Sequence, residues 1–150
     1  MPLEIRDAGL PDAETIVDFN RRLARETESK ELSLDELIPG VRQALQQPDQ
    51  CRYLVACLDG QTVGQIMLTY EWSDWRNGRI WWIQSVYVPA EFRRLGVFRA
   101  LFQHVEQLAR QTPGVVGLRL YVERHNTAAH EVYRRMGLAD AGYVVLEKIL

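Results

Sequence analysis

Two arginines and a glycine lie where a strand-like pattern gives way to a helix-like one. Arg93 and Arg94 precede Gly96, and an amphipathic helix pattern runs from there to Gln111. The first turn of a helix has unpaired backbone N–H groups and a positive partial charge of about half a unit, which together favour a phosphate. Gly96 also lets a ligand approach the backbone closely. This segment is a candidate site for a pyrophosphate, although an ordinary turn with solvated arginines would have the same sequence.

A second polar pair lies on the next predicted helix. Asn126 is followed by Tyr133 after seven residues. This spacing is nearly two helical turns, so both side chains project on about the same side. Taken singly, Asn126 could be a helix cap and Tyr133 a core aromatic residue. Together with the first segment, the pair favours a ligand site.

The two segments resemble the signatures of the GNAT superfamily of N-acetyltransferases. In the first signature, Arg or Gln is followed by two residues, Gly, one residue and then Gly or Ala, and Arg93 and Gly96 match it. The sequence departs from this signature at Phe98, whose ring we expect to turn toward the core or toward the adenine side. The resemblance covers essentially the whole chain, and the second signature is matched by Asn126, Ala129, Tyr133, Gly137 and Leu138.

The resemblance implies an acyltransferase whose donor is acetyl-coenzyme A (acetyl-CoA). Backbone groups of residues 94–99 would hold the pyrophosphate, residues 86–88 would pair with the pantetheine arm, and Asn126 would contact the cofactor chain. Tyr133 would protonate the leaving thiolate, since a phenol of pKa about 10 can donate to a thiolate whose conjugate acid has a pKa of about 8.5. The implied cofactor-binding residues are Val86, Tyr87, Val88, Arg93, Arg94, Leu95, Gly96, Val97, Phe98, Arg99 and Asn126.

Acetyl transfer to an amine also needs a group that removes a proton, because an alkyl ammonium has a pKa of about 10.4. The third and fourth predicted strands bring acidic and indole side chains to one edge of the sheet, where they suit a cation. Glu71 is the candidate base there, and a solvated hairpin loop is the competing interpretation. The candidate substrate-binding residues are Glu26, Glu28, Trp72, Asp74, Trp75 and Gln84.

The composition limits the class of protein. The 150 residues, 47% hydrophobic and 25% charged, fit one domain spanning 1–150. A net charge of -2 offers no general attraction to nucleic acid or to an anionic membrane. The start lacks a signal-peptide pattern and no apolar run is long enough to cross a membrane, so we expect a cytoplasmic protein. We expect no metal site, because ligand spacing is lacking at Cys51, Cys57, His104, His125 and His130.

The predicted order of elements is β-α-α-β-β-β-α-β-α-β. It indicates an α+β or mixed α/β fold, with a mixed, mostly antiparallel sheet flanked by helices. Asp59-Gly60 predicts a hairpin, and Pro39-Gly40 predicts a restart or a kink in the second helix. A helical crossover makes the fourth and fifth strands parallel. Residues from Tyr143 to Ile149 predict a last strand.

We therefore expect an N-acetyltransferase that transfers an acetyl group from acetyl-CoA to a primary amine of a small molecule or a protein. The amine would attack directly in a ternary complex, between the splayed fourth and fifth strands. The alternative is a non-catalytic acyl-CoA-binding sensor or regulatory module, which would not need Tyr133. The acceptor and the acyl chain stay open at this stage, as does a homodimer.

Overall fold

The computed structural model describes residues 2–150, which form one five-stranded sheet and four α-helices. The strands are β1 (Leu3–Asp7), β2 (Cys51–Leu58), β3 (Gln61–Ser73), β4 (Gly78–Tyr87) and β5 (Val115–Leu120). The helices are α1 (Ala13–Glu28), α2 (Leu34–Leu45), α3 (Val97–Gln111) and α4 (Thr127–Arg135). The strands lie in the order β1-β2-β3-β4-β5, antiparallel except for the β4–β5 pair. The predicted mixed, mostly antiparallel sheet is confirmed.

Helices cover both faces of the sheet because successive strand residues point to opposite sides. Leu54 and Ala56 of β2 belong to the core beneath α3, whereas Tyr53 packs with residues of α1 and α2. The predicted hairpin forms between β2 and β3. Its turn residues Asp59 and Gly60 have φ values of 52° and 78°, as a type I′ turn requires.

α3 packs close to β3 because residue 64 of β3 is a glycine. α3 buries its apolar stripe against the sheet, at the helical spacing that predicted it. A Cβ atom added to Gly64 would lie 2.8 Å from Cγ1 of Val97 and 3.2 Å from Cδ1 of Leu101. Only glycine therefore lets the first turn of α3 lie this close to β3.

α2 does not break at its proline. The predicted restart at Pro39-Gly40 is wrong, since one helix runs through both residues to Leu45. Pro39 lies on the exposed side, so water can satisfy the carbonyl group that loses its helical partner. Leu37 and Val41 lie on the face of α2 that packs against residues of α1 and β2.

The strand predicted from Tyr143 to Ile149 does not form in the single chain. Residues 139–150 have no helix or strand, and every one of them is exposed. β5 is consequently an edge strand, paired with β4 alone. The residues of this segment favour a strand, but no strand of the same chain pairs with them. Within residues 2–150, no helix combines the length and apolarity needed to cross a membrane.

Candidate active site

A bulge interrupts β4 near its end. The β3–β4 register slips between the pairs Met67–Gln84 and Gln65–Tyr87, and Ser85 takes a left-handed φ of 50°. The fully buried Gln65 amide donates hydrogen bonds to the Ser85 carbonyl oxygen at 3.0 Å and to Asn20 Oδ1 at 3.0 Å. A buried side chain thus holds the irregular backbone in place, as is common beside functional sites.

β4 and β5 separate at the bulge. Their pairing ends at Ile83–Leu120, so β4 continues from Gln84 to Tyr87 with no strand on that side. A strand edge of this kind presents backbone N–H and C=O groups to an extended ligand. This is the place where the sequence predicted a splay of the two strands, and residues 86 and 87 of the candidate cofactor site lie along the open edge.

The turn before α3 forms an anion cradle. Arg94 and Gly96 have left-handed φ values of 69° and 82°, and the first bond into the helix runs from the Ala100 N–H to the Gly96 carbonyl at 3.0 Å. Within residues 2–150, the N–H groups of residues 97–99 have no hydrogen-bond acceptor. They face a cavity of about 310 Å³ between this turn and α4, which Arg94, Arg99 and Arg135 also line. Free donors and three cations fit a pyrophosphate group.

Arg93 braces the turn. Its Nε donates to the Val88 carbonyl at 2.8 Å, and its Nη2 donates to Glu26 Oε1 at 2.6 Å. The Tyr87 hydroxyl donates to the other oxygen of Glu26. Burial raises the pKa of Glu26, but these two hydrogen bonds outweigh it and leave the pKa below its ordinary value of 4.5. Glu26, a candidate for the acceptor site, instead fastens α1 to the cradle.

Replacing Glu26 with glutamine should destabilise the fold by at most about 1 kcal/mol near neutral pH, because both partners are substantially exposed. The lowered pKa means that the folded state favours the ionised form. Its contribution is complete above pH 4.5 and is lost as the pH falls through the lowered pKa of the folded state. Urea unfolding of both proteins across this range checks the expectation, with Glu14→Gln on the same helix as the control. A stability difference that persists at the acid end would contradict it.

α4 lines the same cavity with Val132, Arg135 and Met136, and its Tyr133 lies beside Phe98. Asn126 Oδ1 accepts the Ala129 N–H at 3.1 Å and caps the helix. Tyr133 lies with its ring centroid 5.8 Å from that of Phe98. Burial raises the pKa of Tyr133 above its ordinary value of 10.0, and its hydroxyl has no hydrogen-bond partner within residues 2–150. The phenol is therefore protonated at neutral pH and available as a donor.

Phe98 leaves the cradle open. Its ring packs against the core below α3 and lies 6.4 Å from the ring of Phe102. This is the expected turn toward the core, and Phe98 also contributes to the lining of the cavity beside the free N–H groups. A cavity is therefore present at this turn despite the departure from the first signature.

A second cavity, of about 440 Å³, lies between α1, α2 and the sheet and reaches the bulge at Ser85. Asn20 Nδ2 donates to the Tyr53 hydroxyl at 3.1 Å on its wall. The carboxylates among its lining residues are Glu28 and Glu36. Of these two carboxylates only Glu28 was predicted from the sequence. The signal that could have indicated this cavity is Asn20, a buried polar residue on the apolar face of α1.

The sequence profile of the Acetyltransferase (GNAT) family matches residues 15–138. The chain belongs to this GNAT family. It is similar to the crystal structure of a possible acetyltransferase from Clostridium difficile 630, with 43% identity, a TM-score of 0.93, and coverage of 100% of this chain and 99% of that one. GNAT members of this kind are acyltransferases that use acetyl-CoA. No curated relative matches the sequence.

Two more distant structures share the fold. A predicted acetyltransferase from Clostridium acetobutylicum, solved with acetyl-CoA, is 18% identical with a TM-score of 0.78, over 97% of this chain and 96% of that one. An aminoglycoside acetyltransferase from an uncultured soil metagenomic sample, in complex with sisomicin, is 16% identical with a TM-score of 0.78, over 99% and 96%. The GNAT fold accordingly extends over nearly the whole chain.

Glu71 lies away from the bulge and from the turn before α3. Its Oε1 accepts the Trp82 indole N–H at 2.7 Å, and Arg119 Nη1 lies 3.3 Å from its Oε2. Glu71 pairs with Ile80, six residues before Val86 on β4, a distance of about 20 Å along a strand. Glu71 lines neither cavity. Its contacts are those of a structural partner of Trp82 and Arg119, and its role as general base stays a prediction.

The remaining hairpin candidates also lie outside both cavities. Trp72 and Trp75 are 63% and 88% exposed at the β3–β4 hairpin, where Asp74 is exposed as well. Antiparallel pairing does gather them at one edge, as expected, but at the end of β4 opposite the bulge. Gln84 lies at the bulge itself and donates to Thr69 Oγ1 at 2.7 Å. Among residues 2–150 no group of His, Cys, Asp or Glu side chains could hold a metal ion.

Proposed function

We propose that this GNAT chain transfers an acetyl group from acetyl-CoA to a primary amine by direct attack in a ternary complex. The observation that carries the proposal is the bulge at Ser85. There the open edge of β4 meets the cavity between α1 and α2, so a cofactor chain and an acceptor can approach one point from two sides. Acetyl-CoA supplies the acetyl group as a thioester, which the amine nitrogen can attack.

Each part of the cradle has a role in binding the cofactor. The N–H groups of residues 97–99, with Arg94 and Arg99, would hold the pyrophosphate. Residues 86–88 would pair with the pantetheine arm as an added strand. The Asn126 side chain keeps its amide N–H groups for the cofactor chain, since only its oxygen is used in capping. Arg93 positions this turn through Glu26 and Val88.

Two groups of the chain would assist the chemistry. A backbone N–H of β4 near Val86 would donate to the acetyl oxygen as negative charge develops there. The carbon–nitrogen bond forms, the carbon–sulfur bond breaks, and Tyr133 gives its proton to the leaving thiolate. A phenol whose hydroxyl has no partner in the protein suits this role.

The acceptor would occupy the cavity beside α2. Glu28 and Glu36 give it a negative lining, which attracts an ammonium group. The amine must lose a proton before it attacks, and these carboxylates would accept it directly or through water. A cationic acceptor also agrees with the sisomicin complex of the distant structural neighbour, a likeness at the level of fold.

A thiol-release assay across a panel of primary amines tests the function. We expect coenzyme A release to depend on the amine and to saturate with its concentration. Mass spectrometry of the acetylated product then identifies the nitrogen that is modified. Cofactor binding with no release above hydrolysis for any amine would instead indicate the sensor alternative.

Removing the two carboxylates should weaken acceptor binding and also remove the proposed proton acceptors. In the double variant Glu28→Gln/Glu36→Gln, we expect KM for a cationic amine to rise about tenfold, equivalent to about 1.4 kcal/mol, and kcat to fall below the native value because the amine then loses its proton to water alone. Asp35→Asn on the same helix, whose side chain does not line the cavity, serves as the control. An equal rise in the control, or none in the double variant, would place the acceptor elsewhere.

A further inference from the structure

The C-terminal segment, residues 143–150, is an apolar strand sequence without a partner. Its large apolar residues are at least 66% exposed, and they are Tyr143, Val144, Val145, Leu146, Ile149 and Leu150. Alternate positions fall on opposite faces of a strand. Both faces of this segment would be largely apolar, which is the pattern of a strand covered on both sides. A contiguous apolar surface of this kind is normally buried in a soluble protein.

The unpaired edge of β5 is a suitable receptor for this C-terminal segment. No residue of β5 is fully buried, and Val115, Leu118 and Leu120 are only partly covered although they pack against the main core. α4 likewise has no buried residue. α3 packs on β5, so a strand added beside β5 would extend the sheet next to this helix. The core is therefore unfinished at this edge.

The other sheet edge is a poor receptor. The exposed side chains of β1 are Glu4, Arg6 and Asp7, and charged residues of this kind protect an edge from pairing. Near β5, in contrast, the Arg119 guanidinium lies 5.9 Å from the ring centroid of Tyr143. The segment thus leaves the body of its own chain beside β5 without pairing to it.

We propose that the protein is a homodimer in which residues 143–149 of each copy add as a strand to the β5 edge of the other. Each chain has both the apolar segment and the open β5 edge. Two copies can therefore pair the segment of each chain with the β5 edge of the other. Exchange of identical segments between two copies closes the assembly, because each donor is also a receptor. No further unpaired apolar strand is left to recruit a third copy.

The exchange would also complete the site. Tyr133 and Met136 of α4 are partly buried against the unfinished core, so a partner strand beside β5 would pack next to the helix that carries the phenol. This consequence rests on the proposed function, whereas the dimer itself does not. Mass and hydrogen exchange therefore decide the inference without any activity measurement.

Light scattering after gel filtration of the full chain should give twice the 17.4 kDa of one copy. Hydrogen exchange should show that residues 143–149 and β5 are both protected. Val145→Pro removes a strand N–H, and Leu146→Asp places a charge on an apolar face. We expect both variants to run at half the mass and to lose protection in both segments. Leu10→Asp, an exposed apolar position outside the segment, should remain a dimer.

A mixing experiment separates exchange from other dimers and does not need the destabilised variants. One chain carries Val116→Cys and the other Leu146→Cys, each with Cys51 and Cys57 replaced by serine, and the refolded mixture is treated with a short bis-maleimide. Exchange predicts a cross-linked pair containing one chain of each kind. A full chain that is monomeric, a dimer insensitive to Val145→Pro and Leu146→Asp, or a mixture that yields no cross-linked pair of the two chains would each overturn the proposal.

Discussion

Replacing Tyr133 with phenylalanine should lower kcat by at least about 100-fold, the usual loss when a general acid is removed. KM for acetyl-CoA should change little, because the ring that packs beside Phe98 is retained and only the hydroxyl is lost. Burial raises the pKa of Tyr133 above 10.0, so the phenol is protonated throughout the neutral range. The deficit in kcat should therefore be nearly constant from pH 6 to pH 9. Steady-state kinetics with an identified amine measure it.

Tyr121→Phe is the matched control for this change. Tyr121 is exposed and stacks on Trp82, with ring centroids 4.6 Å apart, away from both cavities. Its loss of a hydroxyl should leave kcat within about twofold of the native value. Equal rates for Tyr133→Phe and the native chain would remove the assigned proton donor and leave thiolate protonation to water.

Placing a negative charge at Gly96 should have the second large effect, on cofactor binding. A Cβ atom there meets no atom within 4 Å, and Asn and Asp both tolerate the left-handed backbone better than other side chains. Gly96→Asn and Gly96→Asp therefore differ mainly in charge beside the free N–H groups. We expect coenzyme A to bind the Asp variant at least about tenfold more weakly than the Asn variant, a difference of about 1.4 kcal/mol. Calorimetric titration measures both.

Added salt and a substitution far from Gly96 serve as the controls for this comparison. The gap between the two variants should narrow as salt is added, because mobile ions screen the charge. Asn77→Asp makes the same charge change at a left-handed residue of the β3–β4 hairpin, with φ of 50°, and should not alter the affinity. Equal dissociation constants for Gly96→Asn and Gly96→Asp would show that no phosphate lies at this turn.

The parts of the site that were predictable from sequence are local in the chain. Only a few consecutive residues are needed to recognise a turn, a helix start or a seven-residue spacing. Gly96, Asn126 and Tyr133 could therefore be placed on their elements. The brace between Glu26 and Arg93 joins residues far apart in sequence, and no local pattern encodes it. The cavity lined by Glu28 and Glu36 likewise depends on how two helices pack.

Glu71 and the C-terminal segment show two further limits. Strand pairing predicted that Glu71 and Trp82 would gather at one place, as they do, but pairing alone does not say which end of β4 reaches the cavity beside α2. For residues 143–149, strand propensity predicted a strand that is not formed in the single chain, because a strand also needs a neighbour. Whether that neighbour lies in the same chain or another cannot be read from local sequence.

Gly64 has an evolutionary consequence. This residue touches no ligand in the proposed complex, yet it sets how deeply Val97 and the first turn of α3 sit above β3. Affinity for the phosphates can therefore be adjusted from inside the core, without any change in the residues that contact them. Positions 64 and 97 should covary among relatives, with a larger residue at one accompanied by a smaller residue at the other. A comparison restricted to ligand-contacting positions would overlook this source of diversity.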